Sequence, residues 1–441
     1  MYGAVGIRAC ALVVAAMLAA ACGGDGGGNG AGESVLDPGT GSNDASTSRA
    51  EAVIDASAGF GLELAARTAA SDQRANVILS PLGASIALGM TMNGAGGATF
   101  DAMRSALGFG ALTQEDINAA YRDLIARLTT LDPNVRLEIA NAVWTNEGVE
   151  FHDSFLRTVG AAFEARTEAL DFADPAAVIA INEWVAEHTD GLIDGIVDAL
   201  DPSLVMLLAN AVYFEGAWTT QFDPANTRRG AFRREDGSQT DVDMMSLGNV
   251  EVLRGRGESY SVVELPYGDE AFAMVIILPD EGVSARTWLA GLDADEWTAI
   301  VEGLAPGRLD LLSIPKFTLT FDTYLNDALK ALGMTPAFRP GADFTRMSPS
   351  GDQMCIDFVR QKTRIDVDER GTRAAAVTGV GIGVVSFTGF VVDRPFVFAI
   401  RERSTGAMLF IGLVGDPAAE DPGPGPLVSD CTGTAWARAP R

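Results

Sequence analysis

Residues 51–417 run through helical and extended patterns without one Gly-, Pro- or Ser-rich linker to divide them. A stretch of that length with no break in its apolar periodicity reads as one large domain built on one core. The 441-residue length alone would suggest about three domains. The remaining residues form three segments of different composition: 1–21, 22–50 and 418–441.

Helical patterns come early in the block. Ser80-Pro81 offers a capping hydroxyl followed by a proline suited to a first helical turn. Ile117, Tyr121, Leu124, Ile125 and Leu128 form an apolar stripe behind Thr113 and Asp116, which are spaced as a near capping box. Ile181, Trp184, Val185 and His188 form a second stripe, with His188 as a helix-face residue rather than a metal ligand. Extended segments follow at 204–214, 271–278, 309–321, 391–400 and 408–414, rich in branched and aromatic side chains. A late helix is expected over 322–332, ended by Gly333. Helices and strands segregated in this way, without βαβ alternation, predict an α+β domain with helices packed on large sheets.

The ends read differently. Residues 1–21 place one basic residue, Arg8, before an apolar run from Ala9 to Ala21. That run falls short of the roughly 20 apolar residues of a spanning helix and reads as a secretory signal. Ala19-Ala20-Ala21 directly before Cys22 resembles a bacterial lipobox, which makes Cys22 the expected lipidation site. Cleavage after Ala21 at an A-x-A site is the alternative, and would leave a secreted protein. Residues 22–50 read as a flexible tether and 418–441 as a loose Pro/Gly-rich tail. The expected location is therefore the cell envelope or cell surface, with the membrane reached only through a lipid anchor. Cys355 and Cys431 are candidates for a disulfide, which spacing leaves open.

Asp and Glu number 59 against 32 Lys and Arg, a formal charge of -27. Phosphate backbones and heparin-like polyanions are bound by Lys and Arg, so nucleic acid is excluded as a partner. Two histidines and four cysteines leave imidazole catalysis and zinc sites little to work with. The sequence lacks G-x-S-x-G, G-x-x-x-x-G-K-[ST], H-E-x-x-H and C-x-x-C, so neither an enzyme nor a cofactor or metal is expected.

The most informative stretch runs from Asp366 to Ser386. Thr372, Ala374, Ala376, Thr378, Val380, Ile382 and Val384 share one face at period two, whereas Gly379, Gly381 and Gly383 stand on the other. Glycines weaken a resident strand. The segment is able to form a strand without being committed to one.

Several motifs then occur in a fixed order: Asn76-Val77-Ile78-Leu79-Ser80-Pro81, Ile181-Asn182-Glu183-Trp184-Val185 with Thr189-Asp190-Gly191, Asn210 through Trp218 with Phe222, Ile314-Pro315-Lys316-Phe317, Asp393-Arg394-Pro395-Phe396 and Phe410-Ile411-Gly412. In that order they resemble the serpins, inhibitors of serine proteases whose reactive loop inserts into a β-sheet after cleavage. The resemblance implies a single serpin-type domain with an exposed reactive-centre loop, and a monomer. It assigns Ser80, Asn210, Trp218 and Gln361 to the breach and shutter. Glu369, Arg370, Gly371, Thr372, Ala374, Ala375 and Ala376 become the hinge, and Val385-Ser386 the reactive bond. Two positions depart from the family pattern: Gly83 stands where a second Ser is common, and Gln361 where a His is common.

A register slip would move the bait to Val384 or Phe387. No Lys or Arg lies between Ala374 and Val392, which disfavours trypsin-like targets. Val385 fits elastase-like or subtilisin-like serine proteases, and cysteine proteases share the acyl chemistry. Arg373, charged and just inside the hinge, favours the competing expectation of a non-inhibitory binding or structural protein.

Overall fold

The computed structural model describes residues 7–17, 41–370, 388–426 and Cys431. Helices α1 (Gly41–Ser71), α2 (Pro81–Met92), α3 (Gly97–Ala106), α4 (Gln114–Leu128), α5 (Asp153–Phe163), α6 (Pro175–His188), α7 (Ala285–Ala290), α8 (Ala294–Glu302) and α9 (Asn326–Leu329) pack around two sheets. The α+β expectation is met.

The first sheet has six strands. In chain order they are β1 (Ile7–Met17), β3 (Val135–Asn146), β4 (Arg166–Leu170), β5 (Met206–Gly216), β11 (Phe317–Tyr324) and β12 (Ile356–Val367); in space they run β11-β12-β1-β5-β3-β4. The second sheet contains β2 (Asn76–Leu79), β6 (Arg228–Arg233), β7 (Gln239–Arg256), β8 (Tyr260–Tyr267), β9 (Phe272–Pro279), β10 (Ala305–Pro315), β13 (Gly389–Val391), β14 (Phe396–Glu402) and β15 (Met408–Val414). Strands β9, β14 and β15 are buried along their whole length and form the floor of the core.

The local signals act as their chemistry dictates. Ser80 caps α2 by accepting from the Gly83 amide, and Thr113 caps α4 by accepting from the Asp116 amide. His188 stacks on Trp184 with ring centroids 4.5 Å apart and shares a 2.8 Å hydrogen bond with the Trp184 carbonyl, as a helix-face residue does. At the far end of the block, Asn76 accepts from the Gly415 and Asp416 amides and donates to the Asp416 carbonyl, which pins the end of β15.

Two expectations need correction. The late helix is shorter than periodicity suggested. Residues 322–324 finish strand β11, α9 covers only Asn326–Leu329, and a π turn follows in which Gly333 takes φ of 100°. Pairing of β11 with β12 outweighs helix propensity there. The two ends are also not loose throughout. Helix α1 begins at Gly41, within the presumed tether, and the tail folds back: Asp421 accepts from Arg74 and from the Asp322 amide, each at 2.7 Å, and Cys431 is bonded to Cys355. Ile7–Met17, part of the expected signal segment, lies as a central strand of the six-stranded sheet.

Candidate functional site: hinge, seam and shutter

Strand β12 leads directly into the hinge. Its first outside residues, Asp368, Glu369 and Arg370, are held at the top of the sheet by three separate elements. Buried Trp218, just beyond β5, donates from Nε1 to the Asp368 carbonyl at 3.1 Å. Its ring stacks on Tyr267 of β8, with centroids 4.6 Å apart and planes 12° from parallel. Glu369 receives Lys316 Nζ at 2.8 Å and Thr227 Oγ1 at 2.7 Å. Lys316 sits between β10 and β11, where the chain crosses from one sheet to the other.

Burial acts to raise the Glu369 carboxyl, but hydrogen bonds from Lys316 and Thr227 prevail and hold it below its ordinary range. Asp368 goes the other way: burial raises it, and the Arg370 amide and nearby cations only partly compensate. The hinge root is thus a fixed anchor with one strongly favoured carboxylate.

Below it lies the seam between β5 and β12. The two strands do not pair with each other, because β1 runs between them, antiparallel to both. Its register extends from Ile7 opposite Gly216 to Met17 opposite Met206 on one side, and from Arg8 opposite Asp366 to Met17 opposite Ile356 on the other. A strand inserted beside β12 therefore meets donors and acceptors on both flanks, and the sheet has room for it.

Two of the residues expected to form the shutter stand on either side of this strand, Asn210 and Gln361 both opposite Val13. Gln361, fully buried, accepts from the Ser80 amide and donates to the Ser80 carbonyl, each at 3.0 Å. Asn210 donates to Asn141 Oδ1 at 2.9 Å, and Asn141 donates to the Phe163 carbonyl at 2.7 Å. Asn210 Oδ1 is buried and meets no hydrogen-bond donor among the described residues. Gly83 explains its placement: a β-carbon there would lie 2.7 Å from Asn210 Oδ1 and 3.1 Å from Ser80 Oγ. The departure to glycine leaves space for Asn210 to turn toward α2.

The structure brings Ser80, Gln361 and Asn210 together around one strand and puts Trp218, Glu369 and Arg370 at its upper end. Gly371, Thr372, Ala374, Ala375, Ala376, Val385 and Ser386 lie outside the described residues, as does Cys22. Sequence reading missed Lys316, Thr227 and Asn141 as partners of the site. Lys316 was visible within its motif, but its pairing across 53 positions had no local signal. Among the described residues no helix is long and apolar enough to cross a membrane, and no cluster of His, Cys, Asp and Glu could hold a metal ion.

An α+β domain whose central sheet takes a strand beside the one leading into a hinge has the architecture of a serpin. Residues 55–417 match the family model described as serpin (serine protease inhibitor), and the chain belongs to that family. It is 33% identical to neuroserpin of Gallus gallus over 369 residues, covering 80% of this chain and 88% of that protein. The native-state crystal structure of a thermophilic serpin, tengpin, superposes with a TM-score of 0.71 at 33% identity, over 82% of this chain and 94% of tengpin. Human thyroxine-binding globulin superposes with a TM-score of 0.74 at 26% identity, over 84% of this chain and all of that one.

Proposed function

We propose that this serpin inhibits serine endopeptidases as a single-use trap. The target attacks the Val385 carbonyl, the bond to Ser386 breaks, and Val385 becomes esterified to the protease nucleophile. The freed hinge from Gly371 onward then enters the seam beside β12, before water can release the acyl group. The observation that carries this reading is the seam itself, which accommodates an antiparallel strand against both β5 and β12. Where the seam is open, an entering strand adds ladder hydrogen bonds to both β5 and β12, so the driving force lies in the fold and no catalytic side chain of the serpin is needed.

The neutral bait around Val385 suits elastase-like or subtilisin-like enzymes, with cysteine proteases reached through the same acyl chemistry. Export by the leader, with Cys22 as a lipid anchor, would place the inhibitor at the cell envelope as a monomer.

The test is to mix protein recovered after export with elastase- and subtilisin-type proteases. A covalent complex that survives denaturing electrophoresis is the expected result. Clean cleavage near Val385 with protease activity undiminished would overturn it. That outcome would favour a non-inhibitory binding role, the reading supported by Arg373 inside the hinge and by the likeness to thyroxine-binding globulin.

A further inference from the structure

The strand that fills the seam is the chain's own leader. Its single charge, Arg8, is met by two carboxylates. Arg8 Nη1 lies 2.6 Å from Asp190 Oδ2, and its Nε and Nη2 lie 3.2 and 3.1 Å from Glu215 Oε1. Each partner has a second contact or a constrained backbone, and Asp190 Oδ1 also lies 3.7 Å from Arg136 Nη1. Glu215 Oε2 accepts from the Tyr213 hydroxyl at 3.0 Å, and Asp190 sits at the turn after α6 with φ of 48°, a left-handed conformation uncommon for a residue with a side chain. A charge-assisted, two-carboxylate receptor of this kind selects a guanidinium at one register position of the seam.

The sequence contains a second segment of the same order. Arg8-Ala9-Cys10-Ala11-Leu12 corresponds to Arg373-Ala374-Ala375-Ala376-Val377 in the reactive stretch, with arginine first, alanine at the second and fourth places and an aliphatic residue at the fifth. Only one strand can lie between β5 and β12 at a time, so two such segments compete for the same ladder.

We propose that the leader Ile7–Met17 is an internal occupant of the seam, anchored by Arg8 on Glu215 and Asp190, and that the uncleaved precursor is thereby kept unable to insert its reactive loop. Removal of the leader empties the seam. The inhibitory consequence rests on the proposed function above; the occupancy does not.

The experiment uses the full 441-residue precursor, made without export so that the leader is retained. Amide hydrogen exchange over residues 7–17 should be slowed at least about a hundredfold relative to an unstructured chain. Val13→Pro removes a ladder position in the middle of a central strand and should abolish that protection. Arg8→Glu, which leaves every amide in place, should weaken it about tenfold or more, and the swap Arg8→Glu with Glu215→Arg should restore part of it.

With a susceptible protease, Val13→Pro should form covalent complex at least about tenfold faster than the wild-type precursor. Leader amides that exchange as freely in wild type as in Val13→Pro overturn the proposal. So do equal rates of complex formation by a protected and a released precursor. Protection that behaves as described, with no complex from either form, sinks the inhibitory reading and leaves the occupancy standing.

Discussion

Gln361 and Ser80 exchange two hydrogen bonds, side-chain amide to backbone amide, across the junction between the central sheet and the start of helix α2. The Ser80 carbonyl also accepts from the Ala84 amide, so it keeps a partner if Gln361 is lost. The Ser80 N–H has no such reserve in the helix, because it belongs to the capping residue. Gln361 therefore clasps the start of α2 to the central sheet through a neutral amide.

Gln361→Met should keep the volume and remove both bonds, leaving the Ser80 N–H buried without an acceptor. A loss of about 1–3 kcal/mol is expected. A lower urea midpoint with an unchanged m-value is the measurement that checks it, and an unchanged midpoint would show that the clasp contributes nothing.

The hinge anchor should be acid-sensitive. The folded state holds Glu369 below its ordinary range, so its contribution is complete above that range and is lost as pH falls through the depressed folded value. Asp368 is raised by burial, so its contribution is present in acid and lost as pH rises through its folded value. Because the two oppose each other, the wild-type curve alone does not separate them. The gap in melting temperature between wild type and Lys316→Met should be open at neutral pH and close in acid. The gap should be modest throughout, since the Lys316 side chain is 42% exposed and solvent screens the pair. A gap that widens in acid would contradict the assignment.

The Cys355–Cys431 disulfide joins positions 76 apart, and the chain it closes includes β12, the hinge and the reactive stretch. In the chain-entropy model a loop of that size is worth about 4 kcal/mol, and Cys355→Ser should cost a large part of it. Thermal melting with and without reductant should show the wild type falling to the level of the variant. The variant itself should be indifferent to reductant.

Thr372→Arg should turn an inhibitor into a substrate. By period-two alternation Thr372 shares a face with Ala374 and Ala376, and a charge placed on the buried face of an entering strand carries a heavy desolvation cost. The expected outcome is a covalent complex replaced by cleaved serpin and fully active protease. A variant that still forms complex at the wild-type yield would show that the insertion register is different.

What a reader could take from the residues alone was mostly local. Ser80-Pro81, Thr113 with Asp116 and the stripe from Ile117 to Leu128 announce their helices because capping and the 3.6-residue period act over a few positions. The apolar runs of β9 and β15, and of 396–400 in β14, announce buried strands in the same way. The 18-residue strand β7 gave no such signal: exposed and half-buried residues alternate irregularly along it, and pairing with β6, β8 and β10 makes it a strand. The serpin motifs were legible because each is short and their order along the chain is itself informative.

The pairings that make the site were not legible. Glu369 finds Lys316 and Thr227, Gln361 finds Ser80, and Arg8 finds Glu215 and Asp190, each across more than 50 positions. The leader is the clearest case. Its length and apolarity rule out a spanning helix, but nothing in its composition distinguishes a free signal segment from a strand. Backbone donors and acceptors are the same in every sequence, so an alanine-rich apolar run can satisfy them in any sheet with an open seam. Residue order specified the domain and its helix caps. Folding alone opened a seam beside β12 and put Ile7–Met17 in it, because ladder pairing depends on which edges the tertiary structure leaves unsatisfied.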